Sequence, residues 1–517
     1  MTALRRPLTH SIKSRFAASL LANGFRSLLV FATGLLLARW MGPQDYGRFV
    51  FLMASFMAFR QLLDMGASSA FFTFLSRRTR SRNFVLLFWR WVILQFLVSL
   101  ALVALILPGS TLSAIWLGES RGLLVLALVA TFMQGTVWNI ASQMAEASRE
   151  TIRLQRLNSL VVLIHFGVVL ALWWLERLAL PLIFLALIIE WSIAGWLAAR
   201  MYRRQDSGSG DAGGSADTAG TVWREFLPYC LPMIPYTWLG FAHDFADRWM
   251  LQQWGGAAEQ AYYGVAQQFA GVALLATTSI MRIFWKEISE AHHQGDTEKV
   301  KHLYDKVSKL LYFVSASMAG AAIPWAGDIL QITVGDAYRS GVVTFMLMLF
   351  YPVMQSMGQI CGTMLYATGQ TKVQSVLGMI FMLISMLTAY FVLAPADAVV
   401  PGWGMASQGM AWKMVLLAFI QVNVLAWYIA RKFGWNFLWY YQIGTLLICL
   451  VNGWLSWLIV SPVFGDLVPV LLQMSMSMVL FLAGVMVSLQ VMPGLAGMSH
   501  REWQEYRQHF LAIFRKA

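Results

Sequence analysis

Long apolar runs separated by short polar segments dominate the chain. A helix of about 20 apolar residues crosses the ~30 Å hydrocarbon core of a membrane, and clusters of charge or of Gly and Pro mark where such helices end. Cutting the chain at these clusters predicts fourteen membrane-spanning helices, an even number that puts both chain ends on one side. The predicted spans are residues 20–40, 49–75, 84–107, 122–145, 157–175, 178–199, 226–251, 262–284, 310–334, 342–367, 373–393, 404–430, 440–460 and 467–492.

Composition supports this pattern. Of the 517 residues, 58% are hydrophobic and 12% are charged, whereas a soluble domain carries about 25% charged residues. These proportions exclude a water-soluble fold. We therefore expect an all-α polytopic membrane protein with about fourteen transmembrane helices.

The net charge of +13 reflects orientation in the membrane. Counted with the loop, terminus or span end that they adjoin, 28 of the 38 Lys and Arg lie on the side of the N-terminus, 6 lie on the opposite side and 4 lie deeper within predicted spans. Basic residues concentrate in cytoplasmic loops of membrane proteins, so we expect both termini to be cytoplasmic. The basic excess therefore does not indicate a nucleic-acid partner.

A polar segment and a short internal repeat divide the chain. Residues 205–221 are rich in Gly, Ser, Asp and Ala and predict a flexible cytoplasmic linker. The sequence Arg-Trp-Met occurs at 39–41 and again at 248–250, and Tyr-Gly occurs at 46–47 and again at 263–264. The predicted domains are a first lobe at 1–204, the linker at 205–221, a second lobe at 222–430, and a C-terminal part at 431–517 that ends in an amphipathic tail helix at 500–516.

Motifs for catalysis, nucleotide binding and metal binding are missing from the sequence. It contains no Gly-Lys-Ser/Thr phosphate loop, no His-Glu-x-x-His and no Gly-x-Ser-x-Gly. The three cysteines lie in separate apolar runs, where we expect them to serve in packing: Cys230, Cys361 and Cys449. We expect no cofactor and no metal, and an ion gradient, the membrane potential or the substrate's own gradient as the energy source.

Four cations lie within predicted spans, where a charge is costly unless it faces protein or a wet cavity. Unpaired cations in a cavity attract anions such as a phosphate-bearing headgroup. The candidate substrate-binding residues are therefore Arg26, Arg60, Arg90 and Lys413. Arg60 is four residues before Asp64, so these two side chains can instead neutralise each other, and Arg90 can snorkel to the interface. Arg26 and Lys413 have no opposite charge one helical turn away and are the stronger candidates.

Carboxylates at membrane depth are candidates for coupling transport to an ion. A buried acid can bind H⁺ or Na⁺, and the sequence leaves the choice between these ions open. The candidate ion-coupling residues are Asp64, Glu190, Asp244 and Asp247. In the alternative reading, Arg248 pairs with Asp244 across one helical turn.

Several motifs together resemble a known family. The stretch LLLARWMGPQDYGRFVFLMASF at 35–56, followed by LDMG at 63–66, resembles the opening of Wzx-type polysaccharide flippases of the multidrug/oligosaccharidyl-lipid/polysaccharide (MOP) superfamily. The DRWM and YYG segments between 247 and 264, ATGQTK at 367–372 and GWGMASQG at 402–409 are similar to that family as well.

The resemblance implies two six-helix lobes plus two C-terminal helices, in a V-shaped bundle that works by alternating access in a bacterial inner membrane. It implies movement of undecaprenyl-diphosphate-linked oligosaccharide from the inner to the outer leaflet for assembly of O-antigen, capsule or exopolysaccharide. The implied partners are that glycan, membrane lipids, a polysaccharide polymerase and glycosyltransferases, and the implied protein is a transporter and not an enzyme. By position, Arg26, Arg60 and Lys413 are expected to contact the diphosphate.

Two other functions stay open on sequence alone. An ion-coupled exporter of small organic cations from the same superfamily would use an acidic cavity, for which Asp64, Glu190 and Asp244 are available. A membrane glycan polymerase or ligase would normally present a substantial outer loop, and every predicted outer loop here is short.

Overall fold

The computed structural model describes residues 12–77, 80–206, 218–437, 439–464 and 467–505, and this part of the chain contains helices and no strands. The predicted linker and the end of the predicted tail helix lie largely outside these residues. The α-helices are α1 Ile12–Asp64, α2 Ala67–Arg77, α3 Arg82–Ala101, α4 Gly109–Trp116, α5 Arg121–Thr131, α6 Trp138–Ala147, α7 Thr151–Trp174, α8 Leu180–Asp206, α9 Ala219–Cys230, α10 Ile234–His293, α11 Thr297–Ala322, α12 Ala326–Val334, α13 Val342–Met348, α14 Tyr351–Ala367, α15 Thr371–Leu393, α16 Ala406–Phe433, α17 Trp439–Phe464 and α18 Val470–Val491.

The helices confirm a polytopic all-α membrane protein. Within the described residues, eleven helical stretches are long and apolar enough to cross a membrane. One of them, the 42-residue stretch Asn23–Asp64, contains most of the first predicted span and the first part of the second, which the structure breaks at Met65 and Gly66 before α2. The 60-residue helix α10, which lies outside these eleven, contains most of the seventh predicted span and all of the eighth.

The chain forms two compact units. Unit 1 consists of the residues up to Trp40 together with Phe59–Thr237, and unit 2 consists of Met41–Ala58 together with the residues from Trp238 onward. Helix α1 therefore contributes to both units. Helix α9, which follows the predicted linker, belongs to unit 1.

Stacked aromatic side chains bind α9 to α2 and α3 in unit 1. The Phe71 ring lies 4.1 Å from that of Phe88, and Phe226 of α9 lies 5.9 Å from the Phe88 ring. Stacked and tilted aromatic pairs add about 0.5–1.5 kcal/mol each beyond the area they bury. Arg80 pairs with Glu225 of α9 beside these rings. Aromatic packing and one ion pair thus bring α9 into unit 1.

Two glycine breaks divide the longest helices. Gly42 has φ 73° and ψ 170°, and Gly256 has φ 83° and ψ 179°. Only glycine adopts this region without strain, so the helical hydrogen bonding stops there and restarts at a new angle. Each break closely follows one copy of the Arg-Trp-Met repeat, at 39–41 and 248–250. A glycine break thus follows each copy of the repeat, one residue after Met41 and six residues after Met250.

Small residues let the helices after the two breaks approach closely in unit 2. A methyl group at Gly47 would overlap the carbonyl oxygen of Ala257, and one at Gly264 would lie 3.2 Å from the side chain of Val50. Both glycines belong to the Tyr-Gly repeat. Apposed small residues are how membrane helices gain backbone contact, so the repeat marks a helix crossing.

The segment that contains Ser499 and Glu502, near the end of the described residues, binds to α11. Ser499 and Glu502 form a capping box, with Ser499 N–H donating to Glu502 Oε2 at 2.8 Å and Glu502 N–H donating to Ser499 Oγ at 3.2 Å. Lys306 donates to Glu502 Oε1 at 2.6 Å. The hydrogen bond from Lys306 and those from Ser499 lower the pKa of Glu502 to about 2, so this contact stays charged at physiological pH. Residues 506–516 of the predicted tail helix lie outside the described residues.

The crossing of α11 and α17 generates a stability prediction. A methyl group at Gly453 would overlap the carbonyl oxygen of Gly320, whereas nothing lies within 4 Å of one at Gly444 in the same helix. We expect Gly453→Ala to lower the free energy of unfolding by about 1–3 kcal/mol because the helices must separate. Thermal unfolding in detergent micelles measures the loss.

The matched control is Gly444→Ala, which we expect to be neutral or slightly stabilising because Ala is the better helix former. Equal melting temperatures for the two variants would contradict the close crossing.

Candidate functional site

A cluster of charged and polar side chains lies at membrane depth in unit 2. His243 and Asp247 lie on α10, Ser385 on α15 and Lys413 on α16. Lys413 is seven residues into α16, which places it roughly 10 Å along the helix from Ala406. Three helices therefore contribute to this group, which we call the unit 2 cluster.

Lys413 and Asp247 form a buried ion pair at its centre. The ammonium of Lys413 donates to Asp247 Oδ2, and the two side chains are 0% and 8% exposed. The other carboxylate oxygen, Asp247 Oδ1, is buried without a hydrogen-bond partner among the described residues. Burying two charges is tolerated only when they satisfy each other. One oxygen of the Asp247 carboxylate thus has a donor, and the other has none among the described residues.

His243 links this pair to a more exposed carboxylate. Its Nδ1 lies 2.9 Å from Asp244 Oδ1 and its Nε2 lies 2.9 Å from Ser385 Oγ. The same Nε2 lies 3.6 Å from the Asp247 oxygen that Lys413 binds. The side chain of Asp244 is 47% exposed and that of His243 is 20% exposed. The cluster therefore runs from an exposed carboxylate through an imidazole to a buried ion pair.

Arg248 has different partners from those the sequence suggested. Instead of pairing with Asp244, its guanidinium donates to Gln260 Oε1 at 3.3 Å and to Gln267 Oε1, and it lies 5.0 Å from the centre of the Tyr263 ring. Arg248 lies within α10, in agreement with its place in the predicted span 226–251. Gln260 and Gln267 come after the Gly256 break in α10. Their distance from Arg248 along the sequence therefore does not reveal that they contact it.

Arg60 of α1 binds an irregular helical segment in unit 1. Its Nη1 donates to the carbonyl of Gly135 at 2.9 Å, and its Nε is buried without a partner among the described residues. Gly135 lies in the π-helical segment Phe132–Val137. Such wide turns release backbone carbonyls and are frequent at functional sites. Arg60 therefore retains unused donor capacity at membrane depth.

Asp64 supports the break between α1 and α2. It accepts hydrogen bonds from the Ser68 N–H at 3.1 Å and from the Ser68 hydroxyl. Gln95 Nε2 donates to the carbonyl of Leu63 at 2.8 Å, beside the same break. Arg60 and Asp64, which the sequence allowed as a pair, thus have separate partners. The observed hydrogen bonds of Asp64 lie at the start of helix α2. Its predicted ion-coupling role stays a prediction.

The other predicted residues lie apart from these groups. Arg26 is half-buried and has no hydrogen-bond or ion-pair partner among the described residues, and Arg90 is exposed on α3. His165 Nδ1 lies 2.8 Å from Glu190 Oε2, and Glu190 Oε1 is buried without a partner in the described part of the chain. Glu190 is thus a second carboxylate with a histidine neighbour, in unit 1.

Lys413 is the candidate whose surroundings differ most from expectation. The sequence shows no opposite charge within one turn of it, yet the structure supplies Asp247 from another helix. Its side chain has no exposed surface and presents no atom to a large anion. Spacing along the sequence does not reveal ion pairs between different helices, such as that of Lys413 with Asp247.

Sequence reasoning also missed several partners. Ser385 and Gly135 carry no charge and belong to no motif, so nothing in the sequence singles them out. His243 is not among the predicted site residues. The available signal was its position four residues before Asp247, which puts both side chains on one helix face.

The chemistry of the unit 2 cluster suits proton binding better than metal binding. Among the described residues, no group of three or more His, Cys, Asp or Glu side chains is arranged to hold a metal ion. Histidine is the side chain that most readily gains or loses a proton near physiological pH. The cluster can therefore change its charge without a metal.

The buried ion pair predicts strong coupling between its partners. We expect Lys413→Met or Asp247→Leu alone to lower the free energy of unfolding by about 3–5 kcal/mol, since each leaves a buried unpaired charge. The double variant should lose much less than the sum of the two. Unfolding in mixed micelles, analysed as a double-mutant cycle, measures the coupling.

The control cycle uses Lys286 and Glu290, whose side chains are 74% and 52% exposed at 3.7 Å. An exposed pair contributes about 0–1 kcal/mol, so this cycle should show little coupling. Additive losses at Lys413 and Asp247 would rule out the ion pair.

Comparisons with known proteins identify the fold. The inward closed conformation of the lipid II flippase MurJ is 13% identical, with a TM-score of 0.67, and the match covers 92% of this chain and 99% of that chain. An inward-facing multidrug resistance MATE family transporter of the MOP superfamily is 13% identical, with a TM-score of 0.58, and the match covers 79% of this chain and 94% of that one. An outward-facing MATE family structure is 12% identical, with a TM-score of 0.51, over 81% of this chain and 94% of that one. Among curated protein sequences, none matches the chain.

A family model provides the sequence evidence. The model for polysaccharide biosynthesis proteins matches residues 13–284, which is more than half of the chain. This range includes all of unit 1 beyond residue 12 and, in unit 2, α10 as far as residue 284, with His243, Asp244 and Asp247. The chain belongs to the polysaccharide biosynthesis protein family.

Proposed function

We propose that the protein is a transporter that flips undecaprenyl-diphosphate-linked oligosaccharide from the inner to the outer leaflet of a bacterial inner membrane by alternating access. Both termini are cytoplasmic in this proposal, and no covalent chemistry is performed. The observation that carries it is the family match over residues 13–284, because this family serves polysaccharide biosynthesis. The similarity in fold to a lipid II flippase supports lipid transport over other roles in that biosynthesis.

Unit 1 supplies the cations that such a cargo requires. A diphosphate must leave the headgroup region to cross, and fixed donors lower the free energy of that step. Arg60 keeps a buried Nε without a partner, and Arg26 has no partner among the described residues. Lys413 is already neutralised by Asp247 and is the poorer ligand. Arg26 and Arg60 are therefore the proposed diphosphate contacts, and Arg90, exposed on α3, is a more peripheral one.

A second candidate is export of small organic cations, which the similarity in fold to MATE family transporters favours. Glu190 would then be the cation-binding group, because one of its oxygens is buried without a partner in the described part of the chain. The two functions differ in which charge matters. Cation export would depend on Glu190 and would tolerate loss of Arg60.

Substitution of the unit 1 arginines tests the proposed function. We expect Arg26→Ala and Arg60→Ala each to slow flipping of an undecaprenyl-diphosphate-linked oligosaccharide in proteoliposomes by roughly 10- to 100-fold. A lost hydrogen bond to a charged group costs about 1.5–3 kcal/mol, which corresponds to this range. Lectin binding at the outer face of the vesicles measures the rate.

Two further variants make the result specific. Arg60→Lys keeps the charge and should retain more activity than Arg60→Ala, and Arg153→Ala removes an arginine whose side chain is 61% exposed and should leave the rate unchanged. Wild-type rates in both Arg26→Ala and Arg60→Ala would refute the arginine contacts. Failure of the wild-type protein to flip the glycan would refute the function.

A further inference from the structure

We propose that Lys413 is a built-in substitute for a bound metal cation in the unit 2 cluster, and that protons, not sodium ions, drive the transporter through His243. This inference depends on the proposed function only in assuming that the protein is a transporter. The occupancy of the cluster by the Lys413 ammonium can be tested without any glycan.

The first step concerns the space beside Asp247. A sodium ion at a carboxylate needs several oxygen ligands and an open position next to the charge. Here the Lys413 ammonium, 0% exposed, occupies that position and binds Asp247 Oδ2. Ser385 Oγ, another oxygen of the cluster, is engaged by His243. The ammonium thus fills the position and repels a second cation.

The second step is the charge of the cluster. Its charged side chains are Asp244, Asp247 and Lys413, and the Arg248 guanidinium also acts electrostatically on Lys413. A proton on His243 adds one positive charge beside Asp247 and Lys413. Arg248 of the same helix is directed to Gln260 and Gln267, beside Tyr263. The groups that face His243 and Asp247 from α15 and α16 are Ser385 and Lys413.

The third step is the path of the proton. A neutral imidazole can donate Nε2–H to Ser385 Oγ and accept at Nδ1, which faces Asp244 Oδ1. A proton that enters from water onto the exposed Asp244 carboxylate passes to Nδ1: the O–H bond breaks as the new N–H bond forms, and Nε2 keeps its hydrogen. The imidazolium then lies 3.6 Å from Asp247 Oδ2 and competes with Lys413 for that oxygen. Protonation thereby weakens the link between α10 and α16.

A coupling ion that loosens one helix contact can shift a two-state equilibrium only through such a differential interaction. The unpartnered Asp247 Oδ1 makes the change reversible, because Lys413 can move to it when His243 takes Oδ2. The cluster then holds the same groups in two arrangements. Release of the proton restores the first.

The occupancy of the cluster by Lys413 is tested on the full chain in detergent with Na⁺ alone as the probe. The wild-type melting temperature should not change when choline chloride is replaced by NaCl. Lys413→Ala removes the ammonium and leaves its space beside two carboxylates, so its melting temperature should rise with Na⁺ as binding to the folded state requires. Lys413→Met removes the charge but fills the space, and should not respond.

Two outcomes of this melting experiment would contradict the proposal. A sodium-dependent rise in the wild-type protein would overturn the proposal, and so would a Lys413→Ala variant that folds but ignores Na⁺. If Lys413→Ala does not fold, Lys413→Ser provides the same cavity with a polar group, and the wild-type measurement still decides.

Coupling is tested in proteoliposomes that contain the lipid-linked glycan. A gradient of one pH unit supplies a factor of about ten in driving force, and we expect it to increase net outward flipping several-fold, whereas a Na⁺ gradient should have no effect. His243→Gln keeps hydrogen-bonding capacity but cannot bind the proton, so its response to pH should disappear. His302→Gln, on an exposed part of α11, should respond as wild type.

The coupling proposal and the proposed function can be refuted independently of each other. Flipping that follows a Na⁺ gradient, or a His243→Gln variant with the full pH response, overturns the coupling proposal and leaves the proposed function intact. A wild-type protein that flips no glycan under either gradient refutes the proposed function, while the sodium melting experiment still decides what occupies the cluster.

Discussion

The ion pair between Lys413 and Asp247 is the interaction on which the second unit depends. It holds α10 to α16 at a depth where neither charge is tolerated alone, and it brings His243 and Ser385 within reach. A buried pair of this kind adds little net stability compared with apolar packing, yet loss of one partner is costly. Its value is therefore a defined arrangement of charges that one proton can change.

The first unit solves the same problem of polar groups in lipid by other means. Helices and closed barrels are favoured in membranes because all backbone groups must be bonded. Where α1 breaks before α2, Asp64 and Gln95 bond the released groups, and where α5 widens, Arg60 bonds the carbonyl of Gly135. These irregular places coincide with predicted functional residues. Backbone irregularity and polar side chains occur together because each satisfies the other.

Much of the fold could be predicted from the sequence, but the partners in the candidate site could not. Apolar run length predicts the helices, and the repeated Arg-Trp-Met and Tyr-Gly sequences lie near the two breaks and at the crossing of Gly47 and Gly264, although the repeat alone predicted neither feature. Charge spacing along one helix allowed pairing of Arg60 with Asp64, but their actual partners come from Gly135 and Ser68. Lys413 seemed unpaired because Asp247 is 166 residues away in sequence. Contacts between distant helices depend on packing, which periodicity does not encode.

The account joins a family assignment to a charge mechanism: a lipid-linked glycan moves outward while a proton moves through the unit 2 cluster. The most direct measurement follows both movements at once, in sodium-free proteoliposomes that contain a luminal pH dye and a labelled lipid-linked oligosaccharide. The account predicts that each appearance of glycan at the outer face is accompanied by proton movement, and that both stop in His243→Gln when the pH gradient is the only driving force. Glycan movement with no change in luminal pH would contradict it.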